Sequence, residues 1–77
     1  MAKAYVLINT EMGKEDEVLK SLNQIPNVVE AYIIYGVYDV IAKVEADSLE
    51  KVKDVISSRV RRLEYVRSTL SMIVIET

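Results

Sequence analysis

The segment Tyr35-Gly36-Val37-Tyr38-Asp39 sets a glycine-centred turn between two long apolar stretches, and this limits the fold more than any other feature of the chain. Glycine enters φ > 0 without steric penalty, so Val28 to Tyr35 and Val37 to Ala46 read as two strands of a hairpin folded at Gly36. Neither strand keeps the strict apolar-polar alternation of a sheet wetted on one side. Both faces of the sheet therefore need cover, and helices alone supply only one.

The flanking sequence provides those helices. Ala2 to Asn9, with Tyr5, Val6 and Ile8, reads as a first strand, and Gly13 marks the turn after it. From Lys14 the residues Val18, Leu19, Leu22 and Ile25 follow helical spacing, with Glu15, Asp16 and Glu17 complementing the positive end of the helix dipole; Pro26 ends the pattern. After the hairpin, Asp47-Ser48-Leu49-Glu50 reads as a helix start, with Asp47 as cap and Glu50 reaching back as in a capping box. The second helix carries the stripe Leu49, Val52, Val55, Ile56, Val60 and Leu63, and Arg59, Arg61 and Arg62 suit its negative end. Tyr65 to Glu76 reads as the last strand. The expected fold is α+β, a ferredoxin-like β-α-β-β-α-β sandwich, with an antiparallel four-stranded sheet and two helices on one face. Residues 1–77 form one domain without linker or repeat.

Successive strand residues point to opposite faces, so parity divides the side chains. Ala4, Val6, Ile8, Val29, Ala31, Ile33, Val40, Ala42, Val44, Val66, Leu70, Met72 and Val74 are expected under the helices. The other face receives Tyr5, Leu7, Asn9, Tyr32, Ile34, Asp39, Ile41, Lys43, Thr69, Ser71, Ile73 and Ile75, a set too apolar to face water. Hydrophobic residues make up 51% of the chain, more than a lone 77-residue domain usually needs. A sheet-to-sheet homodimer is the natural outlet, burying on the order of several hundred Å² per subunit at roughly 25 cal/mol per Å².

Composition excludes several chemistries. With no cysteine and no histidine, thiolate or imidazole metal sites, disulfides and histidine-based acid-base catalysis are out of reach. No cofactor is expected. Ten basic and twelve acidic residues give a net charge of -2, which offers no field for direct DNA binding or an anionic membrane. Apolar runs fall well short of about twenty residues, and no signal-like segment follows Met1, so the expected location is cytoplasmic. Arg59, Arg61, Arg62 and Arg67 lack aromatic interleaving and read as a solvated helix end. The five tyrosines read as amphipathic interface residues.

One polar constellation remains. Asp39, Thr69 and Ser71 share the non-helical face by parity, and Gly36 and Tyr38 sit beside Asp39 at the hairpin end. A small zwitterion would pair its ammonium with Asp39 and its carboxylate with hydroxyls or with backbone N-H groups near Gly36. The structural alternative is that Gly36 only makes the turn, Asp39 satisfies nearby amides and Thr69 is a good strand former. In the usual strand order Asp39 and Thr69 lie on strands roughly 9 to 10 Å apart. A pocket between subunits therefore fits better than one within a subunit.

The run Val29-Glu30-Ala31-Tyr32 through Gly36-Val37-Tyr38-Asp39-Val40, with the later Val66-Arg67-Ser68-Thr69-Leu70-Ser71, resembles the effector domain of Lrp/AsnC transcription regulators. The resemblance covers essentially the whole chain. It implies a sandwich that dimerises through its sheets and assembles further, often into octamers, with an amino-acid effector bound between dimers. By position, Gly36, Tyr38 and Asp39 would form the effector loop, and Thr69 and Ser71 a hydroxyl wall. The family's usual second threonine is Ser71 here, which keeps the hydroxyl and loses a methyl. Members of the family carry an N-terminal helix-turn-helix, and nothing before Ala2 encodes one, so the resemblance implies a stand-alone effector domain acting on full-length Lrp/AsnC regulators through mixed assembly. It is thus not expected to be an enzyme. The alternatives are a small dimeric ferredoxin-like enzyme, of the cofactor-free monooxygenase or isomerase type, and an ACT domain with a site around Asn9 to Gly13.

Overall fold

Gly13 and Pro26 bracket the first helix as their chemistry demands, with Gly13 turning the chain at φ 79°. A computed structural model of the protein describes residues 1–75. Along the chain lie β1 (Ala2–Thr10), α1 (Glu15–Leu22), β2 (Val28–Ile33), β3 (Val40–Ala46), α2 (Leu49–Val55) and β4 (Val66–Ile73). The helix of α2 continues into a π-helical turn, Ile56–Val60. The strands form one antiparallel sheet in the order β2-β3-β1-β4. This is the expected ferredoxin-like arrangement; the last strand is shorter than the expected Tyr65 to Glu76, since it begins at Val66 and ends at Ile73, with Val74 and Ile75 outside it and Glu76 beyond the described residues.

The core lies between one sheet face and the two helices. Val6, Ile8, Val40 and Val44 from the sheet are fully buried with Val18 and Leu22 of α1, Val52 of α2 and Val60 of the π-turn. In β1 and β3 every second residue is buried, so parity assigns these strands correctly. The second helix starts on Ser48 rather than on Asp47. Ser48 has extended backbone, and its Oγ accepts the Lys51 N-H at 3.1 Å. Glu50 is therefore one position too early to complete a capping box with it.

The hairpin is more open than a fold at Gly36. Residues 34–39 form the connection, closed by the Ile34 N-H donating to the Asp39 carbonyl at 2.9 Å. Tyr35 and Val37 are fully exposed there instead of extending the strands. A register shift between Val28 and Glu30 then puts Val28 into the core opposite Val44, while Val29 is exposed. That bulge overturns the placement of Val29 under the helices.

The larger correction is β4. Ile8 lies opposite Thr69, Val6 opposite Ser71 and Ala4 opposite Ile73, and directly opposed residues of an antiparallel pair share a face. Thr69, Ser71 and Ile73 therefore sit on the helix side, while Leu70 and Met72, opposite Leu7 and Tyr5, lie on the uncovered face. The cause is a bulge. Asn9 pairs with Ser68 but Thr10 pairs with Val66, so Arg67 is the extra residue and parity reverses beyond it. Tyr65, just before, is held at φ 74°, a conformation that costs a non-glycine residue about 1 kcal/mol or more.

The face away from the helices is consequently more apolar than parity predicts. Leu70 and Met72 are 46% and 43% exposed there, alongside Tyr5, Leu7, Tyr32 and Ile41. Its polar margin is the pair of ion contacts from Lys43 to Glu45 at 3.2 Å and to Glu30 at 3.8 Å. The hydrogen bond to Glu45, together with the nearby Tyr5, raises the Lys43 pKa. The Tyr32 hydroxyl donates to Glu30 at 3.1 Å, which raises the Tyr32 pKa.

Candidate functional site

Asp39 closes the β1 end of the sheet. Its N-H donates to the Ile8 carbonyl at 3.0 Å, and its Oδ2 accepts the Thr10 N-H at 2.8 Å and the Thr10 hydroxyl at 3.3 Å. Thr10 is the buried polar residue among those described, so Asp39 supplies an acceptor that water does not reach easily. The alternative in which Asp39 satisfies nearby amides is therefore part of its job. Only one carboxylate oxygen is committed to those bonds.

Asp39 borders a hollow of about 460 Å³ with Asn9, Thr10, Arg67 and Ser68. A carboxylate and a guanidinium thus face one cavity, and Asn9 Nδ2 donates to the Ser68 hydroxyl oxygen at 3.2 Å across its floor. The hydroxyl hydrogen of Ser68 is left to donate to a ligand. Arg67 reaches this hollow because it is the bulged residue of β4, and bulges re-aim side chains in this way. Next to it, sharing Arg67 and Ser68, runs an open groove of about 670 Å³ between β4 and the α2 π-turn. Thr69 and Ser71 line that groove with Lys53, Ser57 and Arg61.

The five sequence candidates therefore divide. Thr69 and Ser71 come together in the groove, Asp39 lies in the adjoining hollow, and Gly36 and Tyr38 remain on the 34–39 connection, lining neither. Asp39 and the hydroxyl pair do not share the open face; they meet only through Arg67 and Ser68. Sequence reading left Asn9, Thr10, Arg67 and Ser68 out of the effector site: Asn9 and Thr10 entered only through the ACT-domain alternative, and Arg67 only as part of a solvated helix end. The signal that finds Arg67 is a register shift, which appears only once β1 and β4 are paired.

The family model described as the Lrp/AsnC ligand binding domain matches residues 3–77. The chain belongs to this family. Its Lrp/AsnC relatives include the HTH-type transcriptional regulator FL11 of Pyrococcus furiosus, 33% identical over 73 residues, which cover 95% of this chain and 48% of that protein. The chain thus spans about half the length of the curated relatives it matches. The crystal structure of FFRP-DM1 superposes with a TM-score of 0.92 at 41% identity, covering 97% of this chain and all of that one. The Lrp/AsnC fold alone is shared with the transcriptional regulator NMB0573 of Neisseria meningitidis, solved as a complex with L-Met, at 13% identity and a TM-score of 0.83, covering 97% of this chain and 50% of that one. Among the described residues no helix is long and apolar enough to cross a membrane.

Proposed function

We propose that this Lrp/AsnC domain is a non-enzymatic, cytoplasmic module that senses a small amino acid and forms oligomers. The carrying observation is the hollow in which Asp39 and Arg67 face one another's space: an ammonium pairs with the free oxygen of Asp39, and a carboxylate with Arg67 and the Ser68 hydroxyl. The L-Met complex of NMB0573, a fold relative, supports an amino acid as the ligand class. Thr69 and Ser71 extend the hydroxyl wall into the next groove, where a side chain would lie.

The uncovered sheet face joins two copies. Its apolar residues Tyr5, Tyr32, Leu70 and Met72 are all exposed in the lone chain, and a second copy seated on that face would cover them. Dimers then assemble further, with an octamer as the expected closed form, through the 34–39 connection. Tyr35 and Val37 are fully exposed on it, and a neighbouring subunit would cover them while Gly36 and Tyr38 close over the hollow. The same surfaces would admit full-length Lrp/AsnC regulators such as those related to FL11, giving an indirect route to transcription.

Calorimetric titration against the twenty amino acids tests the sensing reading. Heat with at least one of them, lost in Asp39→Asn with the circular dichroism spectrum retained, is the expected result. No heat and no thermal shift with any of the twenty would remove it. Failure to co-purify with any full-length relative would remove mixed assembly alone.

A further inference from the structure

A zwitterion needs one cation and one carboxylate, yet the groove between β4 and the α2 π-turn offers a different set. Lys53, Arg61 and Arg67 line it, and no Asp or Glu does. None of the three cations makes an ion pair within 4 Å among the described residues. Lys53, Ser57 and Arg61 recur every four residues along the helix, which stacks them on one side. Opposite them, Thr69 and Ser71 present hydroxyls at the two-residue spacing of a strand. The apolar side chains of Ile56 and Ile73 complete the lining.

Two backbone irregularities flank this groove. The π-turn is closed by the Arg61 N-H donating to the Ile56 carbonyl at 2.9 Å, and it carries Ile56, Ser57 and Arg61 to the groove wall. Such turns interrupt the helix and recur at functional sites. On the other wall, the β4 bulge brings in Arg67. Three like charges gathered without a counter-charge repel one another, and the arrangement is relieved by a ligand of opposite sign. Forked guanidinium donors and hydroxyls suit oxyanions, and the volume of about 670 Å³ is that of a small-molecule site.

We propose that this groove is a binding site for a small molecule carrying two or more oxyanion groups, carboxylate or phosphate. The proposal goes beyond the amino-acid reading, with which it shares Arg67 and the Thr69 and Ser71 wall, because it rests on Lys53 and Arg61 and does not need Asp39. The groove lies on the helix side of β4, so pairing of the opposite sheet face leaves it open.

The test is calorimetric titration of the 77-residue protein with pyrophosphate and with citrate at low and moderate salt. One saturable site per protomer is expected for at least one probe, weakened at least tenfold in Arg61→Gln and in Lys53→Gln and little changed in Asp39→Asn. The stronger of the two probes assigns the ligand to phosphates or to carboxylates. Arg59→Gln and Arg62→Gln are the controls, since neither residue lines the groove, and each should leave the affinity within about twofold. Circular dichroism verifies the fold of every variant. Absence of saturable binding by both probes would overturn the proposal, as would equal weakening by the control substitutions. So would binding that persists in both Arg61→Gln and Lys53→Gln. An Asp39→Asn protein that loses amino-acid binding but keeps the oxyanion site separates the two readings.

Discussion

The central strands β1 and β3 and the edge strand β4 obey different rules, although all three read as apolar strands. In β1 and β3 each buried residue lies under a helix, and what faces away is mixed. In β4 the order is reversed: Thr69 and Ser71 turn toward the helices, while Leu70 and Met72 turn to the uncovered face. An apolar residue in this sheet is therefore not evidence for the helix side. A sheet with two covers, one of helices and one supplied by another copy, places apolar side chains on both.

The largest expected effect sets one register pair against itself. Ile8 and Thr69 face each other on the helix side, one fully buried and the other half-buried at the groove. Ile8→Ala should cost about 2–5 kcal/mol in chemical denaturation, since it removes atoms from the closed part of the core. Thr69→Ala should cost no more than about 1 kcal/mol. Equal losses would mean that β4 is as tightly packed as β1.

Next comes Asp39, the link between the ends of β3 and β1. Asp39→Ala leaves the Thr10 N-H without its acceptor and should cost about 1–3 kcal/mol, read from the same unfolding curves. Asp39→Asn retains an acceptor oxygen and should recover most of that loss. A negligible effect of the alanine variant would mean that water replaces the carboxylate and that the end of β1 is open.

The helix layer gives a smaller contrast. Ser48→Ala should cost about 1 kcal/mol, and Asp47→Ala less than about 0.5 kcal/mol, because only Ser48 holds the Lys51 N-H. The reverse ranking in thermal unfolding would return the cap to Asp47.

The smallest effect is on the polar margin of the uncovered face. Lys43, chiefly through its hydrogen bond to Glu45, and Tyr32, chiefly through its hydrogen bond to Glu30, each hold a proton more tightly when folded. Above the ordinary values of 10.0 for Tyr and 10.5 for Lys, the folded chain therefore binds more protons than the unfolded one. Their contribution is complete below that range and is lost as pH rises through the folded values. Melting temperatures between pH 8 and 11 should fall slightly more for the wild type than for Lys43→Gln. Parallel curves would show that these contacts add nothing to stability.

These contrasts also mark what the sequence made legible. Element order followed from Gly13, Pro26 and the two helical stripes, because period and punctuation are local properties. Burial of Val6, Ile8, Val40 and Val44 followed as well, since an unbroken strand fixes parity. Val29 was assigned to the wrong face because of the bulge in β2, and Thr69, Leu70, Ser71, Met72 and Ile73 because of the bulge in β4; a single-residue bulge inverts parity and leaves no mark in composition. The β4 bulge also sets the place of Arg67. Asp39 stood out as a carboxylate beside a turn, but its contact with Thr10 is set by pairing between residues 29 positions apart.

Leu70 and Ser71 adjoin in sequence and lie on opposite sides of the sheet, so sedimentation equilibrium of Leu70→Asp and Ser71→Asp beside the wild type tests the two-cover account most directly. The wild type and Ser71→Asp should be dimers or larger at micromolar concentration, while Leu70→Asp, still folded, should sediment as a monomer. A monomeric wild type, or dissociation by Ser71→Asp with Leu70→Asp intact, would contradict it.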